Sequence, residues 1–76
     1  MDIIYDYSKL RGRIIEKYGS MSRFSEVVGL SEIALSRKLN NKIDISRENI
    51  MKWSELLDIP SDEYGVFYFA KKLNDA

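Results

Sequence analysis

The stretch from Met21 to Asn40 leaves this chain few folds to choose from. It holds two apolar repeats of helical period, Phe24, Val27 and Val28 in the first and Leu35 and Leu39 in the second, with Gly29-Leu30-Ser31 between them. So short a connection predicts two short helices joined by a tight turn. Gly29 supplies the positive φ that ends the first helix, Ser31 caps the start of the second, and Ser20 caps the start of the first. Ser25 is small where two helices so joined approach each other, and Leu30 and Leu35 fill the angle between them.

The flanking segments read in the same way. Asp6 is a plausible cap for a helix from about Tyr7 to Tyr18, with Leu10, Ile14 and Tyr18 on one face ahead of Gly19. Gly12 costs that helix about 1 kcal/mol relative to alanine, so it needs tertiary support. The helix capped by Ser31 runs from Glu32 to about Asn40, where Asn40-Asn41-Lys42 forms a turn because asparagine tolerates the left-handed conformation. Ser46 caps a fourth helix bearing Ile50, Trp53 and Leu57, which stops before Pro60. Ser61-Asp62-Glu63 opens a fifth, ending near Tyr68 in an extended tail that Ile3, Ile4 and Tyr5 can pair with, although residues 64–69 are also rich in strand formers.

The predicted fold is therefore all-α, a compact bundle of about five short helices in one domain spanning residues 1–76. Leu10, Ile14, Phe24, Val27, Val28, Leu35, Leu39, Ile50 and Trp53 are its expected core, Trp53 as an anchor rather than a platform for stacked bases. The aromatic run Tyr64, Phe67, Tyr68 and Phe69 exceeds what a chain end needs. Part is expected to cover the first helix and part to meet a second copy or another protein.

Composition narrows the function. The chain has no cysteine and no histidine, so it lacks a thiol nucleophile, a thiolate metal site, the usual general base and the commonest metal ligand. There is no glycine-rich phosphate loop or calcium-loop spacing, and the adjacent carboxylates Asp62 and Glu63 suit a helix start. An enzyme, a metal and a cofactor are not expected. No apolar run approaches the roughly 18 residues of a membrane span, and the N-terminus lacks a basic region followed by an apolar stretch, so neither membrane insertion nor secretion is expected.

Charge is balanced overall but not along the chain. Lys9 to Lys42 holds eight basic and three acidic residues, a net +5, while Ile43 to the end holds four basic and seven acidic, a net −3. One reading is a half that faces a polyanion; the other is a solvated surface whose charges fell unevenly. Arg11, Arg13 and Lys17 read as solvent-facing charges on the first helix.

The string MSRFSEVVGLSEIALSRKLNNK, preceded by YDYSKLRGRIIEKYG and followed by Ile50 to Pro60, resembles the lambda-repressor-like, Cro-type helix-turn-helix family of phage and bacterial regulators over roughly residues 5–70. The resemblance implies base contacts from the start and outward face of the third helix, here Ser31, Glu32, Ile33, Ser36 and Arg37. A helical wheel anchored on Leu35 and Leu39 separately puts Ile33, Ser36, Arg37 and Asn40 outward. Arg37 is the best candidate for a bidentate contact to guanine. Ser20, Ser22 and Arg23 before and within the second helix, and Asn40, Asn41 and Lys42 after the third, suit phosphate contacts.

This sequence departs from the family at informative places. Met21 stands where glutamine often bridges backbone and phosphate, and Glu32 and Ile33 stand where polar or basic readers are usual. Ile33 suits a thymine methyl, a protein surface or simple burial. Two functions follow. The first is a Cro-type phage or prophage transcription regulator, a repressor that binds near-palindromic double-stranded operator DNA as a homodimer in the cytoplasm of the bacterial host. The alternative is a protein-binding modulator, an antirepressor or co-repressor, that docks this face on the DNA-binding domain of a CI-type repressor.

Overall fold

A computed structural model describes residues 4–72. Five helices follow in order, α1 (Ser8–Tyr18), α2 (Met21–Val28), α3 (Glu32–Leu39), α4 (Arg47–Leu57) and α5 (Tyr64–Tyr68), the last entered through a 3₁₀ turn at Ser61–Glu63. No strand is formed among the described residues, where a single antiparallel bridge joins Tyr5 to Lys71. The fold is the all-α bundle that the serine and glycine spacing predicts, and the extended tail pairs with Ile4 and Tyr5 as expected. Ile3, the remaining residue of that expected pairing, lies outside the described residues.

The three serine caps form. Ser20 accepts from the Arg23 N–H at 3.1 Å, Ser31 from Ala34 at 3.0 Å and Ser46 from Asn49 at 3.1 Å. Helix ends repeat one device. A left-handed residue lets the next N–H turn back to the carbonyl five residues earlier, which satisfies a carbonyl the helix would leave open. In α2 the left-handed residue is Gly29 at φ 74°, and Leu30 reaches the Ser25 carbonyl at 2.9 Å. In α3 it is Asn41 at φ 61°, with Lys42 on the Arg37 carbonyl at 2.8 Å; in α4 it is Asp58 at φ 55°, with Ile59 on Ser54 at 2.9 Å. At α1 the expected cap is displaced by a residue. Tyr7 takes the cap position, and Asp6, one residue further out, accepts from the Ser8 N–H at 2.9 Å and its hydroxyl at 2.6 Å. Those bonds hold the Asp6 carboxyl below its ordinary range.

α1 packs on α2, α4 and α5, while α2 packs on α3. Leu10, Ile14, Phe24, Leu35, Trp53 and Leu57 fill the centre, with Phe24 edge-on to Trp53 at 5.6 Å and tilted against Tyr18 at 5.3 Å. The indole N–H of Trp53 has no acceptor among the described residues, so packing must outweigh its desolvation. Val27 corrects the expected core: it is 43% exposed. Phe24, Ser25 and Val28 span the buried arc of α2, and at 100° per residue Val27 falls outside it.

Phe67 and Tyr68 correct the expected surface contact. They are 6% and 2% exposed and belong to this chain's own core. The Ser54 hydroxyl donates to the Tyr68 phenol oxygen at 2.9 Å, and burial pushes that phenol's pKa up against the opposing effect of this bond. Only Phe69 and the half-buried Tyr64 remain available of the four.

Arg11 and Arg13 are the largest correction, since both are half-buried and tied to other helices, whereas Lys17 is solvent-facing as expected. Arg11 donates to the Leu39 carbonyl at the end of α3 at 3.0 Å and to Asn40 Oδ1 at 2.9 Å. Arg13 donates to the Leu57 and Asp58 carbonyls at the end of α4, at 2.7 and 3.1 Å, and its guanidinium sits 5.1 Å over the Phe67 ring. Lys17 pairs with the Asp58 carboxylate. Three positive charges thus meet the negative ends of two helix dipoles.

Asn41 closes the structure at the other side. Asp6 N–H to Ala70 O and Lys72 N–H to Ile4 O, at 2.7 and 2.8 Å, leave the Tyr5 peptide groups facing away from the tail. The Asn41 side chain meets both, accepting from the Tyr5 N–H and donating to its carbonyl, each at 2.9 Å.

Arg13→Ala should lower the unfolding free energy by about 2 kcal/mol, with Arg13→Lys restoring only part, because an ammonium can donate to the two carbonyls but cannot at the same time lay a planar guanidinium over the Phe67 ring. Urea unfolding midpoints check this. The hydrogen bond and charge of Lys17 hold the Asp58 carboxyl below its ordinary 3.8. A carboxyl lowered in the folded state adds stability that is complete above the unfolded value and lost as pH falls through the folded one. Asp58→Asn should therefore show a smaller drop in melting temperature than the wild type between neutral pH and about pH 3.

Candidate functional site

Burying Leu35 and Leu39 fixes which side of α3 faces outward. Ile33, Ser36, Arg37 and Asn40 are spaced at i, i+3, i+4 and i+7, so they form one stripe, and all four are exposed. Glu32 stands beside the stripe in the first turn of α3. Its carboxylate complements the helix dipole there. Ile33 is 66% exposed, a large apolar side chain left uncovered at the start of the helix.

The structure separates the predicted contact residues by what they already do. Ser20 and Ser31 spend an acceptor on their caps. Ser22 is exposed on α2, and its carbonyl takes the Ser25 hydroxyl at 2.7 Å. Both polar atoms of the Asn41 side chain are engaged with Tyr5, which makes it a structural clamp rather than a free donor. Asn40 is also tied, accepting from Arg11 and donating to Ser36 Oγ at 3.1 Å. Arg23, Arg37 and Lys42 are exposed, with no hydrogen-bond partner for their side chains among the described residues.

Two exposed residues of α2, Glu26 and Val27, were missed as candidates. Local periodicity favours a buried Val27, since it lies three residues after Phe24. The signal that could have placed it is Ser25: a small residue facing α3 centres the buried arc on Val28 and turns Val27 outward. The exposed surface of α2 and α3 therefore carries two branched aliphatic side chains, two carboxylates and two arginines. That mixture suits a surface that excludes water around an apolar contact and orients it with charge. No cluster of three or more metal-ligating side chains occurs among the described residues. No helix among them is long and apolar enough to cross a membrane.

Residues 3–71 match the family described as Protein of unknown function (DUF739). No curated protein matches the chain. One solved structure, the solution structure of the modulator of repression (MOR) of the temperate bacteriophage TP901-1 from Lactococcus lactis, is 36% identical to it. The match covers 92% of this chain and 95% of that one, with a TM-score of 0.78.

Because Ile33 contributes nothing to the core, Ile33→Asp should leave stability within about 0.5 kcal/mol of the wild type. Leu35→Ala, two residues on and buried, should cost about 3 kcal/mol. Paired denaturant titrations separate the two; a large loss for Ile33→Asp would mean that the side chain is packed within its own fold.

Proposed function

We propose that this chain, which belongs to the DUF739 family, is a phage or prophage regulator that docks on a repressor protein, a CI-type repressor by its class. In this reading α2, the turn and α3 are a helix-turn-helix whose outward face meets the repressor's DNA-binding domain. The observation that carries the proposal is the near-full-length likeness to a phage modulator of repression.

The geometry supports the same reading. An isoleucine held in solvent gains about 1.5–3 kcal/mol when a partner buries it, and Ile33 is so held at the leading end of α3. Glu26 and Glu32 on this surface repel phosphate but attract the basic side chains of a DNA-binding domain. Arg11 and Arg13, two of the basic residues in the positive half, are occupied by carbonyls of this chain, and Lys17 is paired at the surface with Asp58. The pI near 6.2 agrees with a protein partner. The reading places the protein in the cytoplasm of a bacterial host, as one domain, with no cofactor and no catalytic step.

Direct operator binding of the Cro type is the second reading, and the unengaged side chains of Arg37, Arg23 and Lys42 favour it. It calls for a homodimer with α3 of each copy in successive major grooves about 34 Å apart, and Phe69 and Tyr64 are the residues of the tail left to build that contact.

Isothermal titration against the CI-type repressor from the same phage genome tests the proposal. The wild type should bind, and Ile33→Asp should weaken binding at least about a hundredfold, the loss of an apolar anchor plus a buried charge. A complex that survives the substitution would contradict docking through this face. Arg37→Ala separates the second reading, since only a DNA reader would lose operator affinity and sequence preference with it.

A further inference from the structure

Resting on the proposal that the α3 stripe is the docking face, we infer that Arg11 and Asn40 are positioning residues that keep the Ser36 hydroxyl proton from being spent inside the chain, so that it is available to an acceptor oxygen of the partner.

The chain of causes starts on α1. Arg11 can only donate, and its Nη2 lies 3.0 Å from the Leu39 carbonyl and 2.9 Å from the Asn40 side chain. Of the two orientations of the Asn40 amide, the guanidinium therefore selects the one with Oδ1 toward Arg11, because the other would set donor against donor. That choice turns Nδ2 toward Ser36, where it donates to Oγ at 3.1 Å. The serine oxygen now accepts from inside the chain, and its own proton has no acceptor among the described residues. Ser36 is exposed in the middle of the stripe, between Ile33 and Arg37. A serine on a helix ordinarily rotates its proton to suit any partner. Here one of the directions open to the proton, toward Asn40, is closed before binding by a residue on another helix that does not lie on the stripe. A backbone carbonyl or a carboxylate opposite Ser36 takes that proton, while a second donor would have to use the one lone pair that Asn40 leaves.

Asn40→Asp separates this relay from mere packing. It keeps an acceptor for Arg11 but presents oxygen to Ser36, which would then donate inward and lose its outward proton. Two measurements decide. In the free protein, Arg11→Met should shift the side-chain amide resonances of Asn40 and the backbone amide of Ser36; unmoved resonances would overturn the relay whatever the partner does. In titrations against the same CI-type repressor, Asn40→Asp should weaken binding about five- to tenfold, the worth of one hydrogen bond, as should Ser36→Ala. In the Ser36→Ala background, Asn40→Asp should cost nothing further. An undiminished cost there would mean that the new charge acts directly, and the relay would fail while docking through Ile33 stood. Loss of binding in neither single variant would also overturn it. No binding by the wild type would remove the docking reading and this inference with it.

Discussion

Two arginines on α1 hold the bundle in its shape. Arg11 reaches the end of α3 and Arg13 the end of α4, each donating to a carbonyl that the helix itself cannot satisfy. α1 is a weak helix on its own, interrupted by Gly12, and it has no side-chain cap hydrogen bond from the residue at its cap position. It persists because its apolar face is buried through Leu10 and Ile14 while its polar flank supplies the donors that two other helices lack. The same contacts fix the end of α3 relative to the core, so the presentation of the outward stripe depends on a helix that contributes no residue to it.

α3 is consequently held at both ends. Ser31 caps its start, and Arg11 together with the left-handed Asn41 closes its end. Asn41 also brackets the Tyr5 peptide, whose other side pairs with the tail, so both ends of the described chain are fastened to the turn after α3. A face built on a short helix fixed in this way pays little ordering entropy on binding. The cost of the arrangement falls on charge. Cations that could have reached toward phosphate instead stabilise the fold, and the exposed surface of α2 and α3 keeps Ile33, Val27 and two carboxylates beside its arginines. A surface so composed is what the proposed docking on a protein calls for.

Local rules made most of the architecture legible. Serine caps, left-handed glycine and asparagine, and apolar spacing of three and four residues each act within one helix or turn, and Ser20, Ser31, Ser46, Gly29 and Asn41 all behave as their residue types require. The outward position of Ile33, Ser36 and Arg37 was legible for the same reason, since two buried leucines fix the rotation of α3. What sequence could not show was partner choice over long separations. Nothing near Arg13 states that its acceptors are residues 57 and 58, and nothing near Asn41 points to Tyr5. The assignment of Phe67 and Tyr68 to the core rather than the surface also depends on where α5 lands against α1.

The most direct test of the central claim is fluorescence anisotropy of labelled operator DNA from the same phage genome, titrated with this protein in the presence and absence of its CI-type repressor. Docking on the repressor predicts a change in signal only when the repressor is present, whether by release of the DNA or by growth of the complex, and no preference for operator over random DNA without it. Tight operator binding by the protein alone, falling steeply as salt is raised, would contradict the account and establish a direct DNA reader.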